Sequence, residues 1–285
     1  MRHPLVGLVP LLLLLGCEEE VVASTVIEHV QIVSMVADPP EVQPQESTDI
    51  TVTIADPDGL SPEVAVWVCV PIGAAGRCLE SELTGEAQRV VTGVRDPITH
   101  AFTASVVPLA VDVAEVDEVI DEGGRFNGIL AFALACAPGA CDLFEQLEAG
   151  TVDPIDLSDP GRLLRDVPMA KGHAAWRTLT VSRESERFRH DNPVLLPQFP
   201  QPLENTAGNT EELGVVADGQ FSNGLIYPLT TVGGFAVDSV ATGPESPYLP
   251  WVAREQDAGK EGHVYIVVDD GLGGQAVWHG EASVR

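Results

Sequence analysis

The stretch EVAVWVCV, residues 63–70, limits the choice of fold more than any other part of the chain. Val64, Val66, Val68 and Val70 fall on one side and Ala65, Trp67 and Cys69 on the other. That period of two belongs to an extended strand, not to a helix. The alternation recurs in DITVTIA (49–55), where Ile50, Val52 and Ile54 oppose Thr51 and Thr53. ITHAFTASVV (98–107), NGILAFALAC (127–136) and HAAWRTLTVS (173–182) repeat it, and the turn-forming clusters ADPP, ADPDG and DEGG divide the set. Between 111 and 120, Val113, Val116 and Ile120 recur at helical spacing and predict one short helix. Many strands separated by turn signals predict a β-sandwich.

A second set follows Asp191-Asn192-Pro193: GLIYPLTT, GGFAVDSVA, HVYIVVDD and QAVWHGEASV, with DDGLGG (269–274) as a hairpin turn between the last two. It occupies fewer than a hundred residues, the size of one immunoglobulin-like domain. The chain is therefore expected to be all-β. Two tandem immunoglobulin-like β-sandwich domains, 26–183 and 193–285, are joined by a linker over 184–192. An aromatic content of only 5 %, beside plentiful Val, Thr, Gly and Pro, fits strands and turns better than helices.

Residues 1–16 have the parts of an export signal. Arg2 and His3 give a basic start, and Leu5 to Leu15 an apolar core. That core is shorter than the roughly twenty apolar residues that a membrane span needs, and Pro10 interrupts it. Leu14-Leu15-Gly16-Cys17 resembles the bacterial lipobox, where the signal is cut before the cysteine and its sulfur is lipidated. The resemblance implies lipidation of Cys17, with residues 17–25 as the lipidated cysteine and its tether; a plain secretory signal cut elsewhere is the alternative. Glu18 in the next position points to the outer membrane of a bacterial envelope. Without residues 1–16 the formal charge moves from −28 to −29, because only Arg2 is lost. So acidic a chain is repelled by nucleic acid and by anionic headgroups, and nucleic acid is not an expected partner.

Cys69, Cys78, Cys136 and Cys141 remain, and an even number in an exported chain reads as two disulfides. Zinc fits poorly, with no histidine pair nearby. If 63–70 and 127–136 are antiparallel neighbours, Cys69 and Cys136 lie about 20 Å apart along the strands, beyond the ~7 Å that a disulfide spans. The pairs Cys69–Cys78 and Cys136–Cys141 follow, each closing a small loop.

The stretch VSMVADPPEVQPQESTDITVTIADPDG (33–59) resembles the opening of immunoglobulin-like domains in bacterial surface lipoproteins of the myxobacterial type. Trp67-x-Cys69 and CAPGAC continue that pattern, while Pro44-Gln45 stands where the usual form has Pro-Gly. Tyr227, TTVGGF (230–235), Trp251 and VYIVVDDGLGG (264–274) resemble the partner domain of the same proteins. The resemblance implies fold and location, and it carries no site.

Binding has three places to occur. Residues 137–172 form a connection far longer than a hairpin loop. Cys136–Cys141 would pin its base, CDLFEQLEAG supplies a turn or two of helix, and it shares an end of the sandwich with ADPDGLSP. Its alternative role is to cover apolar surface such as the valine face of 63–70. No cofactor is expected beyond Ca²⁺, for which Asp56, Asp58, Asp191, Asn192, Asp269 and Asp270 offer hard oxygen ligands. The same residue types make turns without a metal, and Arg183, Arg187, Arg189 and His190 stand beside the proposed site. Half of the mature chain's fourteen basic residues fall between Arg162 and Arg189; neutralisation of the protein's own acidic surface is the expectation, and a docking surface for an acidic ligand the alternative.

G-x-S-x-G, H-E-x-x-H, a Walker loop and G-x-G-x-x-G are all absent from the sequence. His29, His100, His173, His190, His263 and His279 are scattered, though His263 and His279 approach one another if the last two strands pair. Trp67, Trp176, Trp251 and Trp278 are expected in cores. The chain therefore reads as a non-enzymatic, membrane-anchored surface lipoprotein, a structural or interaction module. The alternative is a Ca²⁺-dependent or glycan- or protein-binding adhesin-like protein.

Overall fold

Val64, Val66 and Val68 are buried on the inner side of one of four main sheets, which pair into two sandwiches. The computed structural model describes residues 23–44, 46–69, 71–72, 77–78, 90–107, 125–152, 160–182, 189–243 and 247–285. In the first sandwich β1 (Gln31–Asp38), β3 (Thr48–Ala55) and β8 (Ala101–Val106) make one sheet, in the order β1-β3-β8. The facing sheet runs β2 (Glu41–Val42), β10 (Gly172–Ser182), β9 (Arg125–Cys136), β4 (Glu63–Cys69), β7 (Val91–Val94). A two-stranded hairpin, β5 (Pro71–Ile72) with β6 (Arg77–Cys78), follows β4.

The second sandwich repeats the plan. One sheet runs β11 (Val194–Pro197), β13 (Thr210–Asp218), β17 (Tyr248–Val252), β15 (Gly234–Phe235). The other runs β12 (Leu203–Asn205), β19 (Gln275–Val284), β18 (Glu261–Asp269), β14 (Leu225–Thr230), β16 (Val240–Ala241). In both, the first strand leaves one sheet and its continuation, β2 or β12, joins the other parallel to the last strand. A cis X-Pro bond marks the crossing each time, at Asp38-Pro39 and Gln201-Pro202. The chain is an all-β protein of immunoglobulin-like sandwiches, and the two share a topology that their sequences do not display.

Each sandwich has its own core. Ile50, Val52, Ile54, the three valines of β4, Ile129 and Leu179 fill the first. Leu213, Val215, Phe235, Leu249, Trp251 and Ile266 are among those that fill the second. GGFAVDSVA is not one strand: β15 and β16 belong to different sheets, with residues 236–239 between them.

The long connection after β9 folds back over the outside of its own sheet. Helix α1 (Asp142–Ala149) ends at Gly150, whose φ of 65° is the left-handed conformation that favours glycine at a helix end. Its Leu143 and Phe144 pack onto Trp67, Phe132 and Leu134, with Leu164 and Val167 beside them. Trp67 and Phe132 stack at 5.6 Å between ring centres. The face covered is therefore the one carrying Ala65, Trp67 and Cys69. This corrects the expectation that the insertion shields the valines, which face the other sheet. Trp67 and Trp251 are fully buried, and Trp278 packs edge-on to Phe199 with ring centres 5.0 Å apart. Trp176 departs from expectation: it is 65 % exposed. The helix expected at 111–120 lies outside the described residues.

Candidate functional site

Asp56 closes the turn after β3, where its carboxylate accepts the amides of Leu60 and Ser61 at 2.9 Å each. Arg95, just past β7, donates Nη2 to Asp56 Oδ2 at 3.0 Å, and both side chains are buried. The other arm of the guanidinium, Nη1, lies 3.1 Å from His100 Nδ1. Arginine can only donate, so Nδ1 is the acceptor and the proton of the neutral ring sits on Nε2. His100 itself occupies a turn with φ of 57°, held by its amide bond to the Asp96 carbonyl.

Across from this turn lies the outer face of the β18–β19 hairpin. Its register pairs Tyr265 with His279 and His263 with Glu281, so the four share one face. His100 meets them there. Its ring centre is 4.4 Å from that of His263, 5.4 Å from His279 and 6.5 Å from Tyr265. Burial, then the nearby His263 and Arg95, push the His100 pKa down to about 4. His263 is pushed below its ordinary value by burial and by His279, with Glu281 opposing, and His279 by burial. Burial raises the Tyr265 phenol. All three histidine shifts favour the uncharged imidazole. His263 Nδ1 is buried without a hydrogen-bond partner. A cavity of about 360 Å³ opens beside it, lined by Glu204, Glu261 and Glu281 among others.

This cluster is one end of a seam along which the sandwiches lie side by side. Below it Ile27, Ala55 and Tyr265 form an apolar contact with Val33 and Leu229. The Ile27 amide bonds to the Thr230 carbonyl at 2.7 Å, and Thr25 exchanges hydrogen bonds with the Phe235 backbone. Further along, the Met35 amide donates to Gln275 Oε1 at 3.1 Å. Arg177, buried between the sandwiches, donates to the carbonyls of Met35 and Gly273. Burial lowers its pKa, against the opposing charges of Asp269 and Asp270. His173 sits at the same edge, its Nδ1 accepting the Ile32 amide at 3.3 Å.

The far end of the seam is the linker. Asn192 donates to the Ala37 carbonyl at 2.7 Å and accepts the Gln275 amide at 2.9 Å. Asp270, fully buried, accepts the amides of Leu272 and Gly274 through Oδ1 and pairs with His190 Nε2 at 2.5 Å through Oδ2. Gly271 makes that turn possible: its φ is 72°, and a Cβ there would sit 1.8 Å from the Ser222 carbonyl oxygen. Glu41 anchors the linker from the other side, accepting the Ser182 hydroxyl and the His190 amide.

The six proposed calcium ligands are thus not gathered into one site. Asp56 belongs to the histidine end and is committed to Arg95; Asp58 is half-exposed and lies 3.8 Å from His29. Asp269 caps the Gly271 amide, Asp270 and Asn192 hold the linker, and Asp191 is exposed. Asp269 stands about 13 Å of strand away from Tyr265. Among the described residues no group of three or more His, Cys, Asp or Glu side chains is placed to hold a metal ion. At the histidines the adjacent guanidinium also repels a cation.

Cys136 and Cys141 are bridged, pinning the insertion as expected. Cys69 is disulfide-bonded too, and lies opposite Leu130, while Cys136 lies opposite Glu63 at the other end of β4. The Cys78 side chain and Cys17 lie outside the described residues. Of the basic cluster, Arg177 is spent on the seam and Arg189 pairs with Glu46 at 2.5 Å. Five of the six histidines beyond residue 16 lie along the seam or at its edge. Sequence reasoning found only the nearness of His263 and His279, because hairpin register is local; His100, Arg95 and Arg177 come from the other sandwich and left no local signal.

No protein-family model and no curated protein matches the chain. Among solved structures it is similar to Dpr11 IG1 bound to DIP-gamma IG+IG2, at 8 % identity and a TM-score of 0.25, covering 91 % of this chain and 97 % of that one. It is similar also to the N-terminal Ig1-2 module of the Drosophila receptor protein tyrosine phosphatase DLAR, at 11 % identity and a TM-score of 0.25, covering 90 % of this chain and 100 % of that one.

Proposed function

We propose that this chain is a non-enzymatic surface lipoprotein of the bacterial outer membrane, whose two sandwiches act together as one interaction or structural module. The observation that carries the reading is the seam. Hydrogen bonds from Ile27–Thr230 at one end, through Met35–Gln275 and Arg177–Gly273, to Asn192, which bonds to both Ala37 and Gln275, fix the sandwiches side by side, and buried polar groups are used to hold that arrangement. An end-to-end arrangement of the two sandwiches does not fit it. Leu14-Leu15-Gly16-Cys17 supplies the anchor. Ala23 follows Cys17 by six peptide steps, a reach of at most about 21 Å, so the body is held close to the bilayer.

The test is expression of the full chain in a Gram-negative host, with mass spectrometry of its N-terminal peptide and fractionation of cells. A Cys17 carrying acyl chains, and release of Cys17→Ala from the membrane fraction, are expected. An unmodified Cys17, or a chain cut elsewhere and soluble, overturns the anchor.

A ligand-binding role has one observation in its favour, the exposed indole of Trp176 on a sheet whose neighbouring aromatics are buried. Its partner would be a glycan or a protein. Binding to a glycan array that Trp176→Ala abolishes, with unfolding unchanged, would support it.

A further inference from the structure

We propose that the seam is an acid-operated latch: proton uptake by His100, His263 and His279 parts the two sandwiches at that end while each keeps its own core. This goes beyond the module reading and holds whether or not Cys17 is lipidated. Three imidazoles from three separate positions meet where one sandwich touches the other, with ring centres 4.4 and 5.4 Å from His100. Arg95 occupies His100 Nδ1 as a donor. A proton placed on that nitrogen sets donor against donor, so the bond must break.

The surroundings offset the new charge only in part. From the first sandwich the cluster faces Arg95, itself cationic, and Asp56, whose oxygens already hold Arg95, Leu60 and Ser61. From the second it faces Tyr265, which is neutral, and Glu281 beside His263. Glu204 and Glu261 line the adjoining cavity, and Glu204 is paired with Arg285 at 2.5 Å. His263 is itself among the residues that line that cavity. The apolar contact at this end is small, Ile27, Ala55 and Tyr265 with Val33 and Leu229, whereas each sandwich has a separate and larger core. At the linker end, Asn192 bonds to Ala37 of one sandwich and Gln275 of the other and His190 pairs with the buried Asp270, so that end serves as the hinge.

The sign follows from linkage. The closed seam holds the three imidazoles below their ordinary value of 6.5, and His100 near 4, so the closed form binds fewer protons than the open one. Closure is fully favoured above pH 6.5 and is lost as the pH falls towards 4. Each histidine that takes up its proton only on opening shifts the balance by up to about tenfold per pH unit within that window.

Hydrogen exchange of the full chain at pH 7.5 and pH 5, expressed as protection factors corrected for intrinsic rates, tests the latch. The Ile27 amide, which bonds across the seam to Thr230, is expected to lose about tenfold or more of its protection, while Val52 and Val215 in the two cores keep theirs. In His100→Gln/His263→Gln/His279→Gln that loss is expected to disappear. Unchanged Ile27 protection in the wild type, or an equal loss in the variant, overturns the proposal. Should the variant fail to fold, the imidazole NMR titration of the wild type decides. Three rings titrating together with the loss of Ile27 protection support the latch, and rings titrating independently of it overturn the latch.

Discussion

Asp56 illustrates how a carboxylate in a turn becomes a structural part. Its two oxygens hold two amides of its own loop and a buried guanidinium. Asp56→Ala would strand the Arg95 charge in the interior and should cost about 3–5 kcal/mol in urea unfolding. Replacing Asp56 and Arg95 together by leucine should cost clearly less, because no charge is then left unpaired. The same commitment decides the calcium question at this scale. Melting curves in about 2 mM CaCl₂ and in excess EDTA are expected to superimpose, since a native-state ligand must raise the transition. A rise that Asp270→Asn abolishes would overturn that. The turn roles of Asp56, Asp269 and Asp270 were legible in ADPDG and DDGLGG, whose residue types have local reasons to bend a chain. Their partners Arg95 and His190 were not legible, because an ion pair between distant segments leaves no local pattern.

The insertion between β9 and β10 behaves as a lid on its own sheet. Leu143 is 1 % exposed against Trp67 and Phe132, and Leu143→Ala should cost about 2–5 kcal/mol, with acrylamide then reaching more of the tryptophan emission. Replacing Cys136 and Cys141 by serine reopens a very short loop and should cost about 2 kcal/mol in chain entropy, read as a lower urea midpoint. Strand existence was readable wherever one face is buried and the other is not, as in β8 and β14. In β4 both faces are buried, so alternation between Val and Ala/Trp/Cys could not say which side the insertion would cover. GGFAVDSVA misled for a related reason: its apolar residues serve two sheets across a bend.

At the scale of the whole molecule, side-by-side packing sets the dimensions. Small-angle scattering of the region 18–285 at pH 7.5 should give a radius of gyration near the compact value for a chain of that length, about 18 Å, lengthened slightly by the tether. A value several ångströms larger would mean sandwiches arranged end to end and would remove the seam. Acidification towards pH 5 should raise the value if the latch opens.

The sequence by itself determined β3, β4, β8, β9, β10, β14, β18 and β19, turns between them, the separate cores and the short disulfide loop. Each of these follows from residues close together in the chain, through side-chain periodicity, turn chemistry and the reach of a cysteine. Only the tertiary structure decided how the sandwiches face one another, and with that the meeting of His100 with His263 and His279, the burial of Arg177 and the pairing of His190 with Asp270. Those contacts join residues from separately folded units. Their energy comes from surfaces that exist only once both sheets are built, so no local pattern encodes them.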